Sequence, residues 1–240
     1  MIDFGFLWQA FVRLIAGLPI TLELAATAIL VGTVLATALA IVAHLRVPVA
    51  SQCVAFFVFC IRGSPLLLQM FIIYYGLGQF RHELQSWGVW PFFREPYWCA
   101  ITALVLSVGA YGSEIIRGGL KSVSAGLIEA ARACGMSGFL LYRRIILPIA
   151  FRQALPAYGN EVILAVKATS LASTITIMEV TGIAAELISQ TFRAFEVFIV
   201  AGAIYLTLNF IITRLIALLE YRLSPHQRDL PVKTNIEARP

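Results

Sequence analysis

Twenty consecutive residues, Leu24 to Ala43, carry no charge. At about 1.5 Å per residue, a helix of that length matches the roughly 30 Å hydrocarbon core of a bilayer. Inside lipid a helix pairs all of its own backbone N–H and C=O groups, so the run is predicted to be a transmembrane helix. The same character extends along the chain. Of the 240 residues, 60% are hydrophobic and 13% charged, against about 25% charged in an ordinary soluble domain. Apolar segments recur nearly throughout and leave no stretch for a separate soluble core. The expectation is an all-α integral membrane protein, with one transmembrane domain over residues 1–223. A polar tail follows over 224–240, placed in the cytoplasm and assigned no function.

Five spans can be drawn by hydropathy, at 18–44, 54–79, 97–117, 153–176 and 196–219. Lysine and arginine favour cytoplasmic connections, which sets the orientation. Six basic residues (Arg117, Lys121, Arg132, Arg143, Arg144, Arg152) lie between the third and fourth spans, and five (Arg214, Arg222, Arg228, Lys233, Arg239) lie from 214 onward. The connection at 179–196 carries Glu179, Glu186 and Glu196 but only Arg193 as a base. The amino terminus is therefore expected outside and the carboxyl terminus inside. Met1-Ile2-Asp3-Phe4 lacks the positive start of a cleavable signal, so the first span is expected to direct insertion.

The formal charge of +5 is accounted for by this topology, and no nucleic-acid partner is expected. Cys53, Cys60, Cys99 and Cys134 lack CxxC spacing, which supports neither a disulfide framework nor a metal site. Trp87, Trp90, Phe92, Phe93, Tyr97 and Trp98 cluster around Pro91. An interfacial aromatic belt explains them first, with a docking surface for a binding protein as the other reading. Ala28, Gly32, Ala36 and Ala40 recur every fourth residue, a stripe suited to close helix approach.

The segment 124–148 is the most informative. Ser-Ala-Gly-Leu-Ile-Glu-Ala-Ala-Arg-Ala-Cys-Gly over 124–135 predicts a short helix. Glu129 is placed near its positive end, and Gly135 is suited to a left-handed close. Ala130, Ala131 and Ala133 add little bulk, so such a helix can enter a groove on another protein. Glu129-Ala130-Ala131, three residues, Gly135, nine residues, Ile145, one residue and Leu147-Pro148 together resemble the coupling loop of bacterial ABC-importer permeases. Arg62-Gly63-Ser64-Pro65-Leu66, Glu114-Ile115-Ile116-Arg117-Gly118-Gly119, Leu155-Pro156-Ala157-Tyr158 with Asn160-Glu161, and Lys167-Ala168-Thr169-Ser170-Leu171 are similar to segments of the polar amino-acid permeases. Ala168 stands where that family commonly has an acid, Ser124 where it has proline, and Leu127 where it has glutamine or glutamate. Within the family the chain is most similar to M-type subunits of histidine and opine uptake systems, notably those for octopine and nopaline.

The resemblance implies a type I importer fold, with Glu129, Ala130, Ala131 and Gly135 coupling the permease to ATPase subunits. It implies two ATPase subunits, a second permease chain of the homologous Q type, an extracytoplasmic solute-binding protein and a bacterial inner-membrane location. It also implies polar amino acids or derivatives as cargo, such as opines, histidine or arginine. The residues agree on where ATP is used. A phosphate loop needs G-x-x-x-x-G-K-[ST], and no Gly-Lys pair occurs; Gly118-Gly119-Leu120-Lys121-Ser122 reads as a helix end. No catalytic residue, metal ligand or cofactor is assigned to this chain, and ATP with Mg is expected on the partner.

Charges inside spans usually face a cavity or a partner. Arg62, Glu161 and Lys167 are the translocation-path candidates. Glu161 either attracts the cationic part of a solute or anchors structure. Arg62 either meets a solute carboxylate or bonds carbonyls freed at Pro65. Glu161 and Lys167, six residues apart, do not face each other on a helix. Glu114 and Arg117, three apart, are expected to pair. The alternative class is a secondary transporter or channel that acts without an ATPase. An internal repeat would favour it, and none is visible.

Overall fold

A computed structural model describes residues 3–45 and 47–223, and these contain helices and turns with no strand. The expected tail at 224–240 lies outside the described residues. Helix α1 (Phe4–Ile15) was not foreseen. The Asp3 carboxylate caps it by accepting from the N–H groups of Gly5 (3.0 Å) and Phe6 (3.2 Å), and Arg193 donates to its other oxygen (3.3 Å). The Phe6 N–H, then Arg193, hold this carboxyl below the usual carboxylate range.

Three helices are long and apolar enough to cross a membrane, and five spans result if each of two bent pairs counts as one. The first, α2 (Leu18–His44), has the expected bounds. The second span is not the continuous helix expected at 54–79. Helix α3 (Pro48–Gly63) stops at Ser64, and the chain turns by 104° into α4 (Leu66–Phe71), a π-helical turn (Ile72–Gly76) and α5 (Leu77–Gln79). Pro65 has no N–H and drives Ser64 out of the helical region, to φ −115° and ψ 144°.

Short helices α6 (Arg81–Ser86) and α7 (Trp90–Phe93) carry the aromatic cluster, where Phe92 stacks on Trp98 at 4.2 Å. Then come α8 (Pro96–Lys121), α9 (Ala125–Ala133) and α10 (Gly138–Leu141). A π-helical turn (Tyr142–Ile146) joins α10 to α11 (Leu147–Ala168), and a 3-10 turn (Thr169–Ile175) follows. After a 45° bend the chain forms α12 (Val180–Thr191), within what was expected to be a plain connection, and ends in α13 (Ala194–Leu223).

The small-residue stripe is a seam inside the chain. Ala28, Ala36 and Ala40 are fully buried, and a Cβ on Gly32 would meet the Val108 side chain of α8 at 2.7 Å. Gly112 of α8 approaches Ala36 in the same way, at 3.0 Å. Gly32→Leu should therefore cost about 1–3 kcal/mol by overpacking. The check is a lower melting temperature for the purified protein, with Gly63→Ala, which has open space around it, left near wild type.

A second apolar cluster joins Ala10 and Leu14 of α1 to Val180, Ala184, Val197 and Ala201 of α12 and α13. Beside it lies Glu179, expected in an exposed connection and found fully buried. Its carboxylate caps α12 by accepting from the Gly182 N–H (2.9 Å), and it accepts from the Tyr205 hydroxyl (2.6 Å) and the Thr21 hydroxyl (3.4 Å). One acid thus ties α2, α12 and α13 together. Truncation orphans several buried donors, each costing about 1–3 kcal/mol. Glu179→Ala is expected to destabilise by about 3 kcal/mol or more in a thermal melt, and Glu179→Gln, which keeps an acceptor, by clearly less.

Candidate functional site: a capped surface helix and a cavity lined by Glu161

Ser124 caps α9, its hydroxyl accepting from the Leu127 N–H at 3.4 Å. The far end closes with two bonds, Met136 N–H to Ala131 C=O (3.0 Å) and Gly135 N–H to Arg132 C=O (2.9 Å), around Gly135 at φ +82°. That is the Schellman pattern, in which a left-handed glycine satisfies the last carbonyls. Space around Gly135 is open, so the backbone conformation, not crowding, calls for glycine.

The helix has an inner and an outer face. Ala131 is buried against Val123, Leu141, Ile146 and Ala150, with Ile128 one turn away. It therefore seats the helix on its own domain, with its methyl group turned inward. Glu129, Ala130 and Ala133 are exposed. Glu129 is the fifth of nine helical residues, beyond the first turn where the helix dipole acts, so the expected placement at the positive end does not hold. From Gly138 to Ile175 the chain is helical without interruption. That run includes α11, which carries Glu161.

Glu161 is buried, 8% exposed, and makes no hydrogen bond or ion pair among the described residues. It lines a cavity of about 300 Å³ with Leu66, Ser107, Tyr111 and Leu164. Arg62, which is exposed, lies over the Tyr111 ring at 5.0 Å from its centroid, a cation–π contact. The structure thus brings Arg62 and Glu161 to one region through Tyr111. Lys167 is exposed and does not line that cavity.

Arg62 does not serve the carbonyls at the Pro65 break. Gln69 does, its Nε2 donating to the Ile61 C=O (2.7 Å), the Ser64 C=O (3.0 Å) and the Ser64 hydroxyl (2.9 Å). The Arg62 guanidinium lies instead over the Tyr111 ring. Gln69, Tyr111 and Glu179 were missed from sequence. Gln69 lies four residues after Pro65, the spacing that places a side chain back over a broken turn, and this was the available signal. Glu114 and Arg117 pair as expected, with Arg117 Nε donating to Glu114 Oε1 at 2.9 Å. No cluster of metal-ligating side chains occurs among the described residues.

Residues 28–225 match the family described as the binding-protein-dependent transport system inner membrane component. An octopine transport system permease protein of Rhizobium meliloti is 59% identical over 226 residues, 93% of this chain and 91% of the relative. A nopaline transport system permease protein of Agrobacterium fabrum is 54% identical, with 94% of each chain covered. Among solved structures, an amino acid ABC transporter crystallised with histidines is 32% identical, with a TM-score of 0.82 over 92% of this chain and 99% of that one. A multi-span helical domain and a match over most of the length place the chain in the binding-protein-dependent transport system inner membrane component family, as a permease subunit of an ABC importer and not an enzyme.

Proposed function

We propose that this permease imports opines or basic amino acids, with Glu161 and Arg62 on the translocation path and α9 as the contact to the ATPase. The carrying observation is a cavity lined by the buried Glu161 and by Tyr111, whose ring carries the Arg62 guanidinium at 5.0 Å. An amino-acid zwitterion with a cationic side chain presents both complementary charges, and charged groups inside a span are kept where a path needs them. Relatives named for octopine and nopaline transport support the opine class. A relative from Salmonella typhimurium named for histidine, lysine, arginine and ornithine transport supports the basic amino acids.

In this reading two ATPase subunits use ATP and Mg, a Q-type permease forms the second half of the membrane domain, and a solute-binding protein delivers cargo from outside. The chain lies in the bacterial inner membrane with its amino terminus outside, so α9 faces the cytoplasm and meets the ATPase through Glu129 and Ala130. Ala131 and Gly135 hold that helix in place. Lys167, away from the cavity, is not needed for solute contact, and Lys167→Ala should leave uptake within about twofold. The test is ATPase activity of the reconstituted complex with its binding protein and a panel of opines, basic amino acids and neutral amino acids. Stimulation by the first two groups and not by the third is expected; equal stimulation by neutral amino acids would remove the assigned cargo class.

A further inference from the structure

A second cavity, of about 310 Å³, opens between α2, α8 and α11. Its walls are apolar apart from Thr33, Thr37 and Tyr158, and those three hydroxyls are already used. Thr33 donates to the Ile29 C=O at 2.5 Å and accepts from Tyr158 at 2.6 Å, while Thr37 donates to the Thr33 C=O at 2.8 Å. No free polar group is left in the lining to hold a polar solute. Leu147 and Phe151 in the wall are half-exposed, at 50% and 57%, so the groove opens on the side of the bundle.

One end of the groove leads to cations. Leu147 and Phe151 are four residues apart and share a face of α11. One turn further back lie Arg143 and Arg144, both exposed, in the π-helical turn. Neither forms an ion pair among the described residues. At that end α2 is tied to the same turn by the contact of His44 Nε2 with the Tyr142 hydroxyl, at 3.1 Å. Along α11 the lining runs from Leu147 to Tyr158, eleven residues further on and about 16 Å of helix, comparable to most of a phospholipid acyl chain.

We infer that this groove binds an anionic phospholipid, one acyl chain between α2, α8 and α11 and the phosphate on Arg143 and Arg144. Basic side chains where a helical bundle meets the cytoplasmic surface are suited to anionic headgroups. Assignment to the cytoplasmic leaflet rests on the orientation proposed above; lipid retention itself does not, so a reversed orientation would change the leaflet and leave the result below unchanged.

Native mass spectrometry of the intact complex, titrated separately with phosphatidylglycerol and phosphatidylcholine, tests this. Wild type should hold phosphatidylglycerol in preference. The variant carrying Arg143→Gln and Arg144→Gln should bind it about tenfold more weakly, with phosphatidylcholine little changed. Thr37→Trp, which fills the groove without touching the arginines, should weaken both lipids and decides the matter if the arginine variant does not assemble. Equal retention of the two lipids by wild type, or lipid binding unaffected by Thr37→Trp, would overturn the proposal. So would disulfide capture of Thr37→Cys by the second permease chain, because the groove would then be a subunit interface.

Discussion

Uptake should fall at least about tenfold when Glu161 is replaced by glutamine, while the complex still assembles. A charge-assisted hydrogen bond contributes about 1.5–3 kcal/mol, and each 1.4 kcal/mol is about a factor of ten. Glutamine keeps the size and one acceptor but removes the charge that would meet a cationic solute. Glu161 is buried without a hydrogen bond or ion pair among the described residues, and the two roles left open by the sequence predict different outcomes for its replacement. A structural anchor loses stability when its charge is removed, whereas an unpaired buried carboxylate is relieved of a desolvation cost. Reduced uptake with an unchanged or raised melting temperature is therefore the expected pair of results. Unchanged kinetics for every cationic substrate would remove Glu161 from the path.

The second large effect concerns α9. Glu129→Arg reverses an exposed charge on its outer face, and juxtaposed like charges at an interface cost several kcal/mol. Loss of most ATPase from the purified complex, about a hundredfold in retention, is the expected outcome. Gly135→Val acts differently. It puts a β-branched residue at φ +82°, at a cost of about 1–2 kcal/mol, and frays the end of α9 without changing its charge. Partial loss should follow. Gly126→Ala, in open space on the same helix, is the control that retains the ATPase. Pull-down of the ATPase with the tagged permease measures all three.

The parts legible in the sequence were those governed by local periodicity. The charge-free run located α2, the hydropathy span at 18–44 has its bounds, and the third and fifth spans fall inside α8 and α13. The stripe from Ala28 to Ala40 announced close packing, but only the structure names α8 as its partner, since small residues specify distance and not identity. The break at Pro65 was visible as chemistry and not as a 104° turn, because its geometry depends on Gln69 reaching back to Ile61 and Ser64. Helices α1 and α12 are too short to register as spans, and Glu179 resembled a loop charge until α2 and α13 closed around it. Ala131 resembled its neighbours in the alanine run; which face of α9 turns inward is fixed by Leu141 and Ile146, beyond the helix itself.

These observations join into one mechanical account. Helix α9 is held by its Schellman close and by Ala131, its outer face is exposed, and in the proposed coupling the helical run from Gly138 to Ile175 would pass a displacement at α9 on toward Glu161. The 3-10 turn and the buried Glu179 then fix the far end of that run against α2 and α13.

Uptake by proteoliposomes containing the purified complex and its binding protein, measured with ATP inside and with or without the ATPase subunits, tests this account most directly. Accumulation is predicted only when ATP and the ATPase are both present, and Glu129→Arg should abolish it while the permease remains folded in the membrane. Solute accumulation that persists without the ATPase would contradict the account and return the chain to the class of secondary transporters or channels.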